Sequence, residues 1–226
     1  MSLDEFSQYQ GHHGLLTMVM DLDQAQLIEV INSHKQKDVM TALEAFAPEA
    51  RASVEEVSID MWGGFTHVIE VLFPNAKIFY DRFHVMEHVN EELNQLRRQM
   101  HVKFKGLPHL LWKNREALSN KQWQQLDEGL KGFPCLRIVY EFKEELRQIY
   151  EHARTVQGAK RQFQRWIRIA GRFYQKSAQM IEQHWSGICN YFEHRTTSSV
   201  TEGINTKIKL IKRQRVFRFL CKPLDF

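Results

Sequence analysis

The sequence lacks the features that mark membrane proteins, secreted proteins and zinc ribbons. No apolar run is long enough to span a bilayer, and residues 1–11 lack the basic start and apolar middle of a signal peptide. The three cysteines, Cys135, Cys189 and Cys221, are far apart and include no Cys-x-x-Cys pair. This spacing argues against a zinc ribbon and against a disulfide framework. We therefore expect a soluble cytoplasmic protein with no membrane partner.

Basic residues are scarce in the first part of the chain, and acidic residues are the minority in the rest. Residues 1–92 hold 5 Lys and Arg against 16 Asp and Glu, whereas residues 93–226 hold 26 against 11. An acidic centre can bind divalent cations and a basic surround can neutralise phosphates, so this pattern permits a metal-dependent enzyme that acts on nucleic acid. Solvated helix faces that differ in charge by accident would give the same counts, so charge alone leaves both interpretations open.

The order of strand-like and helix-like segments predicts an α/β fold. The 226 residues are 43% hydrophobic, which is enough for one large domain or for a core with an insertion. Apolar periodicity predicts strands at residues 3–6, 15–20, 26–31, 54–60 and 76–80, and helices at 35–46 and 62–72. The D-L-D-Q-A segment at residues 21–25 suits a hairpin turn. Three antiparallel strands followed by crossovers into parallel strands are the ribonuclease H arrangement, a mixed sheet.

An all-helical block is predicted after the fifth strand. Apolar residues at steps of three or four indicate helices at residues 85–104, 107–112, 121–130, 136–152, 159–169 and 177–192, and a last basic helix at 200–213. We therefore expect three regions. Residues 1–84 form the first part of the core, residues 85–195 form a helical insertion, and residues 196–226 form a final core helix with an atypical tail.

Three acidic residues, Asp4, Asp60 and Glu202, are candidate metal ligands. In the ribonuclease H layout, Asp4 on the first strand and Asp60 at the end of the fourth lie side by side. Two-metal phosphoryl transfer needs carboxylates that hold two divalent ions, and hard oxygen ligands suit Mg²⁺ or Mn²⁺. Single aspartates at strand ends are more often turn formers or caps, and the segment from Ser199 to Glu202 is also a capping-box pattern. Each acid alone is therefore a weak signal.

Two further groups of residues have competing interpretations. Asp81 and His84 are close enough in sequence for a metal pair or an acid–base pair, although an isolated pair of this kind is more often structural. A basic run follows Glu202 and comprises Lys207, Lys209, Lys212, Arg213 and Arg215. Phosphate neutralisation is the functional interpretation of this run, and a solvated helix face is the alternative. Because the run adjoins a candidate metal ligand, we favour DNA phosphate contact.

Taken together, these residues resemble the catalytic domain of bacterial insertion-sequence transposases of the DDE class, specifically the ISL-three group. The motifs that carry the resemblance are L-D-E at 3–5, V-S-I-D-M at 57–61, F-P-N-A at 73–76, D-R-F-H-V at 81–85 and T-E-G-I-N-x-x-I-K-x-x-K-R at 201–213. The resemblance spans roughly residues 3–213. It implies a ribonuclease H-like fold that a helical insertion interrupts before the final acid.

The resemblance also implies a function and a set of site residues. Asp4 is similar to the first catalytic Asp of the family, Asp60 to the second and Glu202 to the Glu, with Asp81 as the alternative second acid and His84 adjacent to the site. The implied activity is DNA cleavage and strand transfer with two Mg²⁺ or Mn²⁺ ions. The implied partners are transposon ends and target DNA, held by Lys and Arg residues of the insertion and last helix. A nucleoid-associated homo-oligomer assembled on DNA is expected.

The sequence departs from the family pattern at both ends. The cysteine-rich zinc-binding segment and helix-turn-helix of full-length members are not in the sequence, and R-Q-R-V-F-R-F-L-C-K-P-L-D-F replaces the usual Gly-containing aromatic stretch. We therefore expect a truncated or frameshifted element whose activity is incomplete. Two alternatives stay open, namely a non-catalytic DNA-binding remnant and a ribonuclease H-like nuclease that cleaves strands without joining them.

Overall fold

The computed structural model describes residues 1–7, 15–61 and 64–194. The described chain divides into two compact units, of which the first comprises Met1–Ile78 and the second begins at Phe79. The first unit contains most of a β-sheet with its helices, and the second is almost entirely helical. Within these ranges, no helix is both long enough and apolar enough to cross a membrane.

A five-stranded mixed sheet forms as the sequence predicted. Its strands are β1 (Ser2–Ser7), β2 (Leu15–Asp21), β3 (Gln26–Ile31), β4 (Glu56–Ile59) and β5 (Lys77–Tyr80). The strand order is β3-β2-β1-β4-β5. Strand β1 is antiparallel to β2 and parallel to β4, and β2 is antiparallel to β3. The sheet therefore brings the first strand of the chain beside the strand that precedes Asp60.

The turn between β2 and β3 lies where the sequence predicted it. The Asp21 carboxylate accepts hydrogen bonds from the backbone N–H groups of Asp23 (2.9 Å) and Gln24 (3.0 Å). Aspartate forms this local turn readily, because its short side chain reaches the backbone two residues further on. Ala25 completes the turn with a φ of 52°. β2 is buried along Leu16–Met20, whereas β3 is an exposed edge strand.

Among the described residues up to Ile78, the first unit has three helices, whereas the sequence predicted two in this part of the chain. They are α1 (Gln36–Glu44), α2 (Pro48–Ala52) and α3 (Gly64–Leu72). The additional helix is α2, which begins at Pro48. Proline suits this position because the first N–H groups of a helix have no intrahelical partner. Helix α3 buries Phe65, Val68 and Ile69 and contacts both α1 and β4, so it covers part of the sheet.

The second unit contains the predicted helical block. Its helices are α4 (Arg82–Gln99), α5 (Leu107–Trp112), α6 (Asn120–Lys131), α7 (Pro134–His152), α8 (Val156–Ala170), α9 (Gln175–Gln183) and α10 (Trp185–His194), with a short 3-10 turn at Arg115–Ala117. The prediction of one helix over 177–192 is wrong, because the helix is interrupted at His184, between α9 and α10. The apolar pattern continues through the break, since Ile181 and Ile188 are both buried.

Charged residues of α7 anchor the 3-10 turn to the helical core. Lys143 is fully buried, forms an ion pair with Glu144, and donates a hydrogen bond to the Lys113 carbonyl at 2.9 Å. Arg147 donates to Glu144 at 3.0 Å and also pairs with Glu116 in the turn. Burial lowers the pKa of Lys143, and Glu144 opposes that shift. Buried charges are tolerated only when they are paired in this way.

Candidate active site

Two aspartates meet where β1 and β4 run in parallel. The register pairs Ser2 with Ser58 and Leu3 with Ile59, so one further step along both strands sets Asp4 beside Asp60. The ladder is supported by a hydrogen bond from the Ser58 N–H to the Met1 carbonyl at 2.9 Å. The sequence predicted this side-by-side placement. It follows from topology, because parallel strands deliver residues at equal positions to the same edge of the sheet.

The two aspartates differ in exposure. Asp4 is buried, with 6% of its surface exposed, whereas Asp60 is half-buried just after the end of β4. Buried carboxylates need a partner, because burial penalises an uncompensated charge heavily. One fully and one partly buried carboxylate on neighbouring strands form a negative site that solvent can reach at Asp60.

Glu5 is a third acid near this site, and the sequence analysis did not single it out. Burial raises the pKa of Glu5, and the negative charges of Asp60 and Asp4 raise it further, while His34 lowers it. Glu5 Oε1 lies 3.8 Å from His34 Nδ1. The same buried oxygen makes no hydrogen bond with any residue in the described ranges. The signal for Glu5 was its place directly after Asp4, but nothing in the sequence indicated His34 as its neighbour.

Asp81 has a structural role as the N-cap of α4. Its carboxylate accepts a hydrogen bond from the Phe83 backbone N–H at 2.8 Å, and only 8% of the residue is exposed. The cap satisfies one of the N–H groups that every helix leaves unpaired at its start. His84 lies in the first turn of α4, where Nδ1 is 3.7 Å from the Glu87 carboxylate. Asp81 thus caps α4, and a chemical role for the Asp81 and His84 pair stays a prediction.

Several predicted site residues lie outside the described ranges. These are Glu202 and the basic residues Lys207, Lys209, Lys212 and Arg213. Among the described residues, no group of three His, Cys, Asp or Glu side chains is placed to hold a metal ion. Asp4 and Asp60 nevertheless offer hard carboxylate oxygens on adjacent strands, which is the donor chemistry that Mg²⁺ and Mn²⁺ prefer. These two residues therefore fit part of a divalent-ion site.

Comparison with known proteins defines the class of protein to which this sheet and its acids belong. A model for ISL3-type DDE proteins, described as Transposase, matches residues 1–216. The chain therefore belongs to the ISL3-type family of DDE transposases. No solved structure matches it.

Two curated relatives are transposases of insertion sequences. The transposase for insertion sequence element IS1001 of Bordetella parapertussis is 28% identical over 229 residues, which cover 95% of this chain and 56% of that protein. The transposase for insertion sequence element IS1557 of Mycobacterium tuberculosis is 27% identical over 250 residues, which cover 94% of this chain and 55% of that protein. The chain thus spans little more than half the length of the curated relatives it matches.

Proposed function

We propose that this chain is the catalytic domain of an insertion-sequence transposase, which cleaves DNA and transfers the cut strand to a target. The sheet is proposed to be of the ribonuclease H type, since three antiparallel strands followed by a parallel strand fit that arrangement. The observation that carries the proposal is the parallel register of β1 and β4, which brings Asp4 beside Asp60. Membership of the transposase family supplies the reaction class.

Asp4, Asp60 and Glu202 are the proposed ligands of two divalent ions, Mg²⁺ or Mn²⁺. Such ions, when bound, activate an attacking oxygen and stabilise the leaving one. The role of the chain is to fix its carboxylates on rigid elements, so that the ions and the scissile phosphate share one geometry. Asp4 lies within strand β1, and Asp60 directly follows the last residue of β4. Glu202, which lies outside the described residues, is the proposed third ligand.

The reaction has two phosphoryl transfers. Water first attacks the phosphorus at the element end; its oxygen bonds to phosphorus, the P–O3′ bond breaks, and the freed O3′ takes up a proton. The 3′-OH then attacks a target phosphodiester; a new P–O3′ bond forms, the target P–O3′ bond breaks, and the proton passes to the departing oxygen. In each transfer, one P–O bond forms and one P–O bond breaks at the same phosphorus. Catalysis of such a step depends on the positioning of the reacting groups and on electrostatic stabilisation.

Basic residues are proposed to hold the DNA during both steps. The proposed DNA contacts lie five to eleven residues after Glu202 and would hold phosphates beside the scissile bond; they are Lys207, Lys209, Lys212 and Arg213. Lys and Arg residues that neutralise phosphates release counterions, so binding weakens as salt increases. Assembly of several copies on two transposon ends, and association with the bacterial nucleoid, belong to the same proposal.

The decisive assay is Mg²⁺-dependent nicking of supercoiled plasmid DNA by the wild type and by Asp60→Asn. The substitution removes the charge while keeping the shape, so nicking should fall at least about 100-fold, as expected when a ligand of a catalytic ion is lost. Labelled oligonucleotides with a free 3′-OH then test strand transfer. Equal nicking by both proteins would contradict the enzymatic proposal and leave a non-catalytic DNA-binding remnant.

A matched variant, Asp81→Asn, separates the two candidate second acids. Asparagine caps a helix about as well as aspartate does, so this variant keeps α4 capped and removes only the charge. We expect Asp81→Asn to retain nicking activity while Asp60→Asn loses it. The reverse result would assign the second ligand to Asp81. Nicking without any joined product, in the wild type, would favour a ribonuclease H-like nuclease.

A further inference from the structure

Helix α8 lies in the longest acid-free stretch of the second unit. Residues 152–181 contain no Asp or Glu but seven Lys and Arg. Four of these arginines recur at steps of four, three and four residues, namely Arg161, Arg165, Arg168 and Arg172, and we call them the arginine stripe. Arg172 follows Gly171, which keeps a right-handed helical backbone just past the end of α8. At 3.6 residues per turn, this spacing places all four on one helix face, within an arc of about 60° around the helix axis.

The stripe faces away from the protein core. Phe163, Trp166 and Ala170 are buried on the opposite side of α8, where the helix packs on α7 and α10. The Trp166 indole N–H donates to the Phe142 carbonyl of α7 at 2.7 Å and fixes the rotation of α8 about its axis. All four arginines are exposed. Because the buried face is fixed, the stripe is presented to solvent as a set.

The stripe differs in its partners from several arginines elsewhere in this unit. Arg82 pairs with Glu151, Arg115 with Glu141, and Arg137 with Asp127. Within the described ranges, the stripe arginines form no ion pair or side-chain hydrogen bond. One acid, Glu182 of α9, lies near Arg168 across a groove of about 500 Å³ that Trp185 also lines. Four positive charges on one face, with a single acid nearby, repel each other unless an anionic partner neutralises them.

We propose that the arginine stripe binds the phosphodiester backbone of DNA. This inference rests on the proposed function, since it deepens that function by naming a DNA-binding surface on the helical unit. The eleven helical steps from Arg161 to Arg172 span about 16 Å, which matches about five steps of a DNA strand at 3.4 Å each. Arginine suits this task because its planar guanidinium donates paired hydrogen bonds to phosphate oxygens.

The test compares three variants of the whole chain with the wild type. The stripe variant carries Arg161→Gln, Arg165→Gln and Arg168→Gln, which keeps good helix formers and removes three charges. The matched control carries Lys103→Gln, Lys105→Gln and Lys121→Gln, which removes three exposed charges of the same unit that lie outside α8. A third protein carries lysine at the three stripe positions. Fluorescence anisotropy with a labelled DNA duplex measures affinity over a range of salt, with EDTA present so that no cleavage occurs.

The stripe variant should bind the duplex more weakly, and the slope of log affinity against log salt should shrink by about 2.7, from about 0.9 for each lost contact. The lysine variant should keep most of that slope, and the matched control should change both quantities far less. Equal losses in the stripe variant and the matched control would overturn the proposal, because net charge alone would then explain binding. Unchanged melting curves confirm that each variant is folded.

Two further arms separate this inference from its rivals. Vesicles of anionic phospholipid test a membrane surface, and a stripe-dependent loss of vesicle binding with unchanged DNA affinity would overturn the proposal. The plasmid-nicking assay is scored separately. A stripe variant that loses DNA affinity while the wild type never nicks DNA supports the stripe and contradicts the proposed catalysis. Asp60-dependent nicking together with unchanged DNA affinity in the stripe variant supports the proposed catalysis and overturns the stripe.

Discussion

Glu92 of α4 caps helix α9 from outside, and its removal should destabilise the helical unit measurably. The Glu92 carboxylate accepts hydrogen bonds from the backbone N–H groups of Lys176 (3.1 Å) and Ser177 (2.8 Å), and from the Ser177 hydroxyl (2.6 Å). Glu92 is 8% exposed and Ser177 is 1% exposed. The negative charge also lies at the N-terminus of α9, where the helix dipole favours an anion.

The expected cost of Glu92→Ala follows from the three donors that lose their acceptor. Each buried donor left without a partner costs about 1–3 kcal/mol. A pocket of about 60 Å³ beside the carboxylate is lined by His88, Gln95 and Lys176, among others, and is large enough for water to replace part of the lost bonding. We therefore expect a loss of about 3 kcal/mol, near the lower end of the summed range.

Urea unfolding at neutral pH and hydrogen exchange of residues 175–183 measure this effect globally and locally. Glu92→Gln keeps one acceptor oxygen and loses the charge, so it should cost about 1–2 kcal/mol. Glu91→Ala is the control, because Glu91 is the exposed neighbour on the same helix and should change stability by less than about 0.5 kcal/mol. If Glu92→Ala behaved like Glu91→Ala and the amides of α9 exchanged no faster, the capping role would be refuted.

Three further predictions concern buried titratable groups. Because the folded pKa of Glu5 is raised, its stabilising contribution is present in acid and is lost as the pH rises through the folded pKa. Glu5→Gln should therefore raise the melting temperature at neutral pH and leave it unchanged in acid. Equal melting temperatures of the variant and the wild type at neutral pH would contradict this prediction. Burial raises the pKa of Cys189 to about 11, whereas Cys135 is exposed. In a Cys221→Ser background, a thiol reagent should therefore modify Cys135 promptly and Cys189 only on unfolding. Equal rates of modification at the two cysteines would disprove this prediction. Lys143→Met should cost about 2–3 kcal/mol, since Glu144 loses a charged partner and the Lys113 carbonyl loses its donor; a Lys131→Met control at an exposed site should cost little in the same urea titration.

The placement of Asp4 and Asp60 at one edge of the sheet could be predicted because it depends on local patterns and one topological rule. Each aspartate directly follows a buried apolar residue, Leu3 or Ile59, and these two residues pair in the sheet. The alternation of apolar residues sets the strands, and the length of the crossover leaves a parallel arrangement as the natural solution. The central part of the fold was therefore encoded within short windows of sequence.

The interactions that could not be predicted connect residues that are distant in the chain. Glu92 caps a helix 84 or 85 residues further on, and Lys143 donates to a carbonyl 30 residues before it. In the sequence, Lys143 belongs to a charged K-E-E segment that is typical of a solvated helix face, yet it is fully buried. Helical periodicity predicts which face is apolar, but it contains no information about which charges find partners in the core.

The break at His184 was missed for a similar reason. The apolar positions of α9 and α10 keep helical spacing across it, so periodicity alone predicts one continuous helix. In the structure, the His184 ring packs edge-on against Tyr80 at 4.6 Å between centroids. Burial and the nearby His88 lower the pKa of His184. This packing fixes the ring at the junction of the two helices, and it depends on a residue more than a hundred positions earlier.

Binding of Mn²⁺, followed by electron paramagnetic resonance, tests most directly whether the acids act together. We predict that the wild type binds two Mn²⁺ ions. Binding should weaken at least about tenfold in each of the variants Asp4→Asn, Asp60→Asn and Glu202→Gln, as it does when a metal ligand or its support is lost. Asp81→Asn should bind Mn²⁺ like the wild type. Undiminished Mn²⁺ binding by Asp4→Asn and Asp60→Asn would contradict the shared site on which the proposed chemistry depends.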